Sequence, residues 1–89
     1  MNESIRWEQA VRDQFEQMIG KIPKVLQGMA RDKVSGKAQA LALEDGRDTV
    51  NEKDLVDAFF SATPFGFHGP MKTDMTDVGI NYQQYGHPE

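Results

Sequence analysis

Apolar residues recur at helical spacing through residues 7–60, and explicit stop signals cut that pattern into three stretches. Trp7, Val11, Phe15 and Met18 follow one another at intervals of four, four and three, with Ala10 and Ile19 beside them. That spacing lays one apolar face along a helix. Ser4 stands ahead of it as an N-cap, its hydroxyl placed to accept from a free first-turn N–H. Gly20 is the expected stop, since glycine takes the left-handed conformation that closes helices.

Ile22-Pro23 opens the second stretch, because proline suits a first helical turn where its missing N–H is not needed. Val25, Leu26, Met29, Ala30, Val34, Ala38, Leu41 and Ala42 continue it at helical spacing to Gly46. Gly36 inside the run marks a close helix contact or a bend, at about 1 kcal/mol relative to alanine. Arg47-Asp48-Thr49-Val50 reads as an extended link. Asn51 then caps a third helix, with Glu52 and Asp54 placing negative charge at its amino end, where the helix dipole favours it. Leu55, Val56, Phe59 and Phe60 form its apolar face, and Thr63-Pro64 ends it, because a residue before proline is pushed out of helical geometry.

The predicted fold is therefore all-α: a small three-helix domain over residues 1–63, followed by an irregular, partly ordered segment over 64–89. Trp7, Phe15, Leu26, Leu41, Phe59 and Phe60 are expected to form most of its centre. The last 26 residues hold four glycines and three of the four prolines, so no long helix is predicted there. They also hold Phe65, Phe67, Tyr82 and Tyr85, half of the eight aromatics, which a purely solvated tail would lack. Phe65 is expected to fold back over the apolar edge of the first and third helices. Gly79, Gly86 and Pro88 leave the distal part without a comparable constraint. Phe65, Phe67, His68, Tyr82 and Tyr85 are the candidate partner-binding residues.

Eighty-nine residues at 38% hydrophobic and 27% charged suit one globular domain. The chain has no cysteine, which excludes disulfides, thiolate metal sites and cysteine nucleophiles within it. That composition is compatible with a reducing cytoplasm. MNESIRWEQA shows no apolar stretch behind a basic region, and no run approaches the roughly 18 apolar residues of a membrane helix. A net charge of −4 disfavours nonspecific binding to nucleic acid or anionic membranes. His68, Asp74, Asp77 and His87 follow no zinc or calcium spacing and read as solvated loop residues. The helical body holds no histidine, so no catalytic constellation is expected, and neither a metal nor a cofactor.

Trp7 and Ala10, then Lys21-Ile22-Pro23, Met29-Ala30-Arg31 with Val34, Ala42, Gly46, Thr49-Val50, Glu52, Leu55 and Ala58 occur in that order. The series resembles the small helical domain at the C-terminus of the light-independent protochlorophyllide reductase B subunit, which also occurs as short stand-alone proteins. The resemblance covers residues 5–61. Ser35 stands where the family has an acidic residue, and the stretch from Met29 to Gly46 is about one helical turn longer, which keeps the apolar face in phase. Residues 64–89 lie outside the family pattern. The resemblance implies a non-catalytic accessory or protein-interaction module, associated with a larger protein partner in a redox or tetrapyrrole enzyme system. It carries no catalytic residue to this chain. Gly46-Arg47-Asp48-Thr49-Val50 leading to Asp54-Leu55 is also similar to the loop and final helix of histone-fold proteins. That alternative implies a helical pairing module with a nucleic-acid role. Residues 1–63, with nine Lys/Arg against eleven Asp/Glu, lack the basic surface it would need.

Overall fold

The computed structural model describes residues 5–87. Four helices carry the fold: α1 (Gln9–Gly20), α2 (Lys24–Glu44), α3 (Glu52–Ala62) and α4 (His68–Asp77). Two short strands, β1 (Arg6–Trp7) and β2 (Thr49–Val50), pair in parallel with Arg6 opposite Thr49 and Trp7 opposite Val50. Single 3₁₀ turns occupy Phe65–Phe67 and Tyr82–Tyr85. The all-α class holds, with one small ribbon added to it.

The ribbon changes how the chain starts. The Arg6 N–H donates to Asp48 O at 2.7 Å and the Glu8 N–H to Val50 O at 3.2 Å. Those bonds keep the backbone extended through Glu8, so α1 begins at Gln9 and not beside Ser4, which lies outside the described residues. Trp7 therefore joins the apolar face of α1 from a strand. Its ring sits 5.1 Å from that of Phe15, and the Arg12 guanidinium lies over it at 5.6 Å. Gly20 ends α1 without a left-handed conformation, since only Gly46, Gly79 and Gly86 have positive φ among the described residues. The chain leaves the helix through Lys21 N–H to Met18 O and Ile22 N–H to Ile19 O. Pro23, with ψ 138°, then precedes α2.

α2 runs unbroken through Gly36, where an added Cβ would meet nothing within 4 Å, so this glycine marks no close helix contact. Gly46, at φ +75°, closes it. Arg47 N–H reaches Ala42 O at 2.9 Å and Gly46 N–H reaches Leu43 O at 3.0 Å, the pair of bonds that satisfies the last helical carbonyls. Asn51 caps α3 reciprocally: Asp54 N–H donates to Asn51 Oδ1 at 2.9 Å, and Asn51 N–H to Asp54 Oδ2 at 3.0 Å. The buried Asp54 carboxylate also takes both ends of the Arg47 guanidinium at 2.8 Å, which offsets the cost of burying its charge. Link, cap and helix are thus one hydrogen-bonded unit.

The segment after Pro64 is more regular than its glycines and prolines suggest. Pro70 is the third residue of α4, inside the first turn, where backbone N–H groups have no helical acceptor anyway. Gly79, at φ +85°, closes α4 as Gly46 closes α2, with Ile80 N–H on Met75 O at 2.9 Å. Met71, Met75, Ile80 and Tyr82 then enter the core. His87 stacks on Phe60 with centroids 4.0 Å apart and bonds Asp57 at 2.7 Å, holding the far end against α3. The expectation of a loosely ordered distal part gives way to this anchoring.

Phe15 and Phe59 lie in the core as expected, and Trp7, Leu41 and Phe60 are partly buried against it. Leu26 is outside it, 43% exposed. Phe65 does not fold back over α1 and α3: the residue is 87% exposed. The residues after Pro64 that do enter the core are Met71 and Met75 from α4, with Ile80 and Tyr82.

Candidate functional site

Between the amino-terminal half of α2 and the chain leaving α3 lies an apolar groove of about 540 Å³. Its position follows from two prolines. Pro23 swings α2 away from the end of α1, and Pro64 turns the chain out of α3 into the 3₁₀ turn. The two walls diverge and no part of the described chain fills the space. Met18, Phe59 and Met71 form the floor, Leu26 and Met29 one wall, and Phe67 and Pro70 the other. Val25 beside Leu26 is 90% exposed, Met29 56%, and Phe67 65%. Leu26, Met29 and Phe67 thus leave bulky apolar side chains partly in water along the hollow, while Val25 and Phe65 are exposed outside its lining. Lys33 on the α2 side and Asp74 on the α4 side bring opposite charges to its edges.

The sequence-predicted site residues separate into two groups. Phe65 and Phe67 stand exposed in the 3₁₀ turn, and Phe67 lines the groove. His68, Tyr82 and Tyr85 serve the fold. The His68 Nε2 pairs with Thr63 O at 2.9 Å, and its ring meets Phe60 edge-on at 5.0 Å. Tyr82 is buried. The Tyr85 hydroxyl donates to Glu52, which also accepts from Gln14 at 2.8 Å. Burial, and then the Glu52 carboxylate, push the Tyr85 phenol up to about 12. These residues tie the C-terminal segment to α3.

Of the exposed residues Val25, Leu26 and Met29, the sequence placed Leu26 in the core, because it continues the helical stripe that runs on through Val34, Ala38 and Ala42. Residue size does not separate the exposed part of that stripe from the buried part, since Val25 is exposed and Val34 buried; what separates them is which neighbouring elements lie opposite each half of α2.

A second recess, between Glu8, Leu43, Arg47, Asp48, Thr49 and Asn51, presents polar and apolar surface in about equal measure. Arg47 is committed there to Asp45, Asp54 and the Thr49 carbonyl. His87 and Lys53 share Asp57, whose carboxyl burial pushes up, while Lys53 and then His87 pull it below its ordinary range on balance. Among the described residues no three His, Asp or Glu side chains gather as a metal site would require. No described helix is long and apolar enough to cross a membrane. The surface with unsatisfied chemistry is the groove, and its chemistry is apolar contact.

Neither a curated protein nor a solved structure matches the chain. Over residues 1–88 it matches the family described as protein of unknown function DUF2621, and it belongs to that family.

Proposed function

We propose that this protein is a non-catalytic accessory module that docks on a larger protein through the groove between α2 and α4. The observation that carries this reading is the set of exposed bulky side chains around one apolar hollow, on a chain otherwise well supplied with a core. A groove of this shape takes the apolar face of a helix, anchored at successive turns. Methionines in its floor and wall adapt to such a face. The ordered series from Trp7 to Ala58, similar to the helical domain of light-independent protochlorophyllide reductase, supports a cytoplasmic redox or tetrapyrrole enzyme system as the setting. In this reading the groove binds the enzyme, and the chemistry belongs to the enzyme.

A photo-crosslinking amino acid at Leu26, with the same probe at Glu44 as control, tests it in the native host. Leu26 lines the groove and Glu44 sits exposed at the other end of α2. The expected outcome is one defined adduct from position 26, absent from position 44, with an enzyme subunit as the crosslinked protein. A companion probe at Met29 should lose that adduct when Leu26→Glu is introduced. Identical adduct patterns at the two positions would refute the docking site.

A further inference from the structure

Both histidines of the chain lie against one ring, that of Phe60. His87 stacks on its face, with centroids 4.0 Å apart and planes 1° from parallel, while its Nε2 meets Asp57 Oδ1 at 2.7 Å. We infer that residues 83–87 form a pH-responsive strap, clamped on α3 while His87 carries a proton and loosened when His87 loses it. Ile80 and Tyr82 are buried and stay in the core, so the movable part begins after them. Gly86, at φ +90°, directly precedes His87 and supplies the turning point.

The groups facing the strap come from α3, α4 and the 3₁₀ turn. On α3, Lys53 holds the other Asp57 oxygen at 2.8 Å, and Glu52 accepts from Tyr85 and Gln84. On α4, His68 meets Phe60 edge-on and Lys72 lies over the Tyr82 ring at 6.0 Å. Ordinary lysines, tyrosines and carboxylates keep their charge states between about pH 5 and 8, whereas histidine changes its own there. The two histidines differ in what they meet. His68 Nε2 pairs with a neutral carbonyl, that of Thr63, so its bond persists in either charge state. His87 meets a carboxylate, and a charge-assisted bond is roughly twice as strong as a neutral one. A cationic imidazole over the Phe60 face also gains attraction to the ring. Closing the strap therefore favours the protonated His87, against the smaller opposition of Lys53 on the far oxygen. The hold is full at the acid end of histidine's range and fades as pH rises through it. Neutral His87 still donates to Asp57 through Nε2–H, so the strap loosens without detaching and intermittently uncovers the Phe60 face.

Hydrogen exchange at the Gly86 amide, which donates to Gln83 O at 3.1 Å, reads the opening of the strap by NMR once the intrinsic rate at each pH is divided out. Its protection factor should fall about two- to fivefold between about pH 5 and pH 8, the effect of one partly exposed ion pair. The Ile80 amide, bonded to Met75 O at 2.9 Å, should keep its protection over the same range. His87→Phe offers Phe60 a ring without a charge and should make the Gly86 protection independent of pH. Asp57→Asn should do the same, with unchanged helical circular dichroism confirming its fold, and His68→Gln should leave the response in place. Gly86 protection indifferent to pH in the native sequence would overturn the strap. So would a response that survives His87→Phe or Asp57→Asn, or one that His68→Gln abolishes.

Discussion

The two halves of α2 carry one apolar stripe and meet opposite fates. Val34, Ala38 and Ala42 are buried against the rest of the domain, whereas Val25, Leu26 and Met29 face water. The contrast recurs after α3, where Phe65 and Phe67 stand exposed while Met71, Met75, Ile80 and Tyr82 close the core. The same residue type falls on both sides, Val34 buried and Val25 bare, so side-chain size does not decide the difference. Helical periodicity fixes the direction in which a face points, and the neighbouring elements decide what it meets. Leu26, Met29 and Phe67 are bulky apolar residues left partly in water along the groove.

The sharpest way to break this contrast is to remove the element that does the covering. A chain ending at Gly79 loses Ile80 and Tyr82, each worth about 1.5–3 kcal/mol if fully buried, so denaturant unfolding should show about 3–6 kcal/mol lost. An unchanged midpoint would put the C-terminal segment outside the core. Phe59→Ala, in the floor shared by core and groove, should cost about 3–5 kcal/mol. A cost below about 1 kcal/mol would mean that the floor is not close-packed. Within α2 itself, Ala38→Leu should destabilise by about 1–3 kcal/mol through overpacking. Val25→Ala, on the same stripe, should stay within about 0.5 kcal/mol, as exposed substitutions do. Equal effects at the two positions would erase the distinction between the halves.

The C-terminal anchor also carries a pH effect. Burial and Glu52 raise the Tyr85 phenol to about 12 in the folded chain, against about 10 unfolded. Folding therefore favours the protonated phenol, and its contribution is complete below about pH 10 and fades as pH rises through about 12. Stability should fall over that window in the native sequence, and Tyr85→Phe should flatten the fall. The Asp57 carboxyl has the opposite sign. Its lowered value gives a contribution present above about pH 4 and lost in more acidic solution, which Asp57→Asn should remove.

Three features were legible in the sequence because they depend on local backbone chemistry. Gly46 closes α2, Asn51 caps α3, and Thr63-Pro64 stops it, each decided within one turn of chain. The β1–β2 ribbon was not legible, since pairing Arg6-Trp7 with Thr49-Val50 joins residues more than forty positions apart over two rungs. α4 was hidden by Gly69 and Pro70, which read as breakers until their place in the first turn is known. His87 on Phe60 and Tyr85 on Glu52 are likewise long-range contacts with no periodic signature. Of the candidate site, Phe65 and Phe67 were nominated from composition alone, although Phe65 was expected to pack inward. Leu26 of the α2 wall was assigned to the core, because a stripe records a face and not its neighbour.

Methionine oxidation tests the central claim most directly, because the chain carries its own internal controls. Met29 lies exposed on the bare half of α2, whereas Met71 and Met75 are buried. Peroxide treatment of the dilute purified protein and of the protein in host extract, read by mass spectrometry, gives the rate at each residue in both settings. Met29 should oxidise fast in dilute solution and be strongly protected in the extract, with Met71 and Met75 slow in both. Met29 oxidised at the same rate as a free, exposed methionine in both settings would contradict it, since the groove would then have no occupant where the protein works.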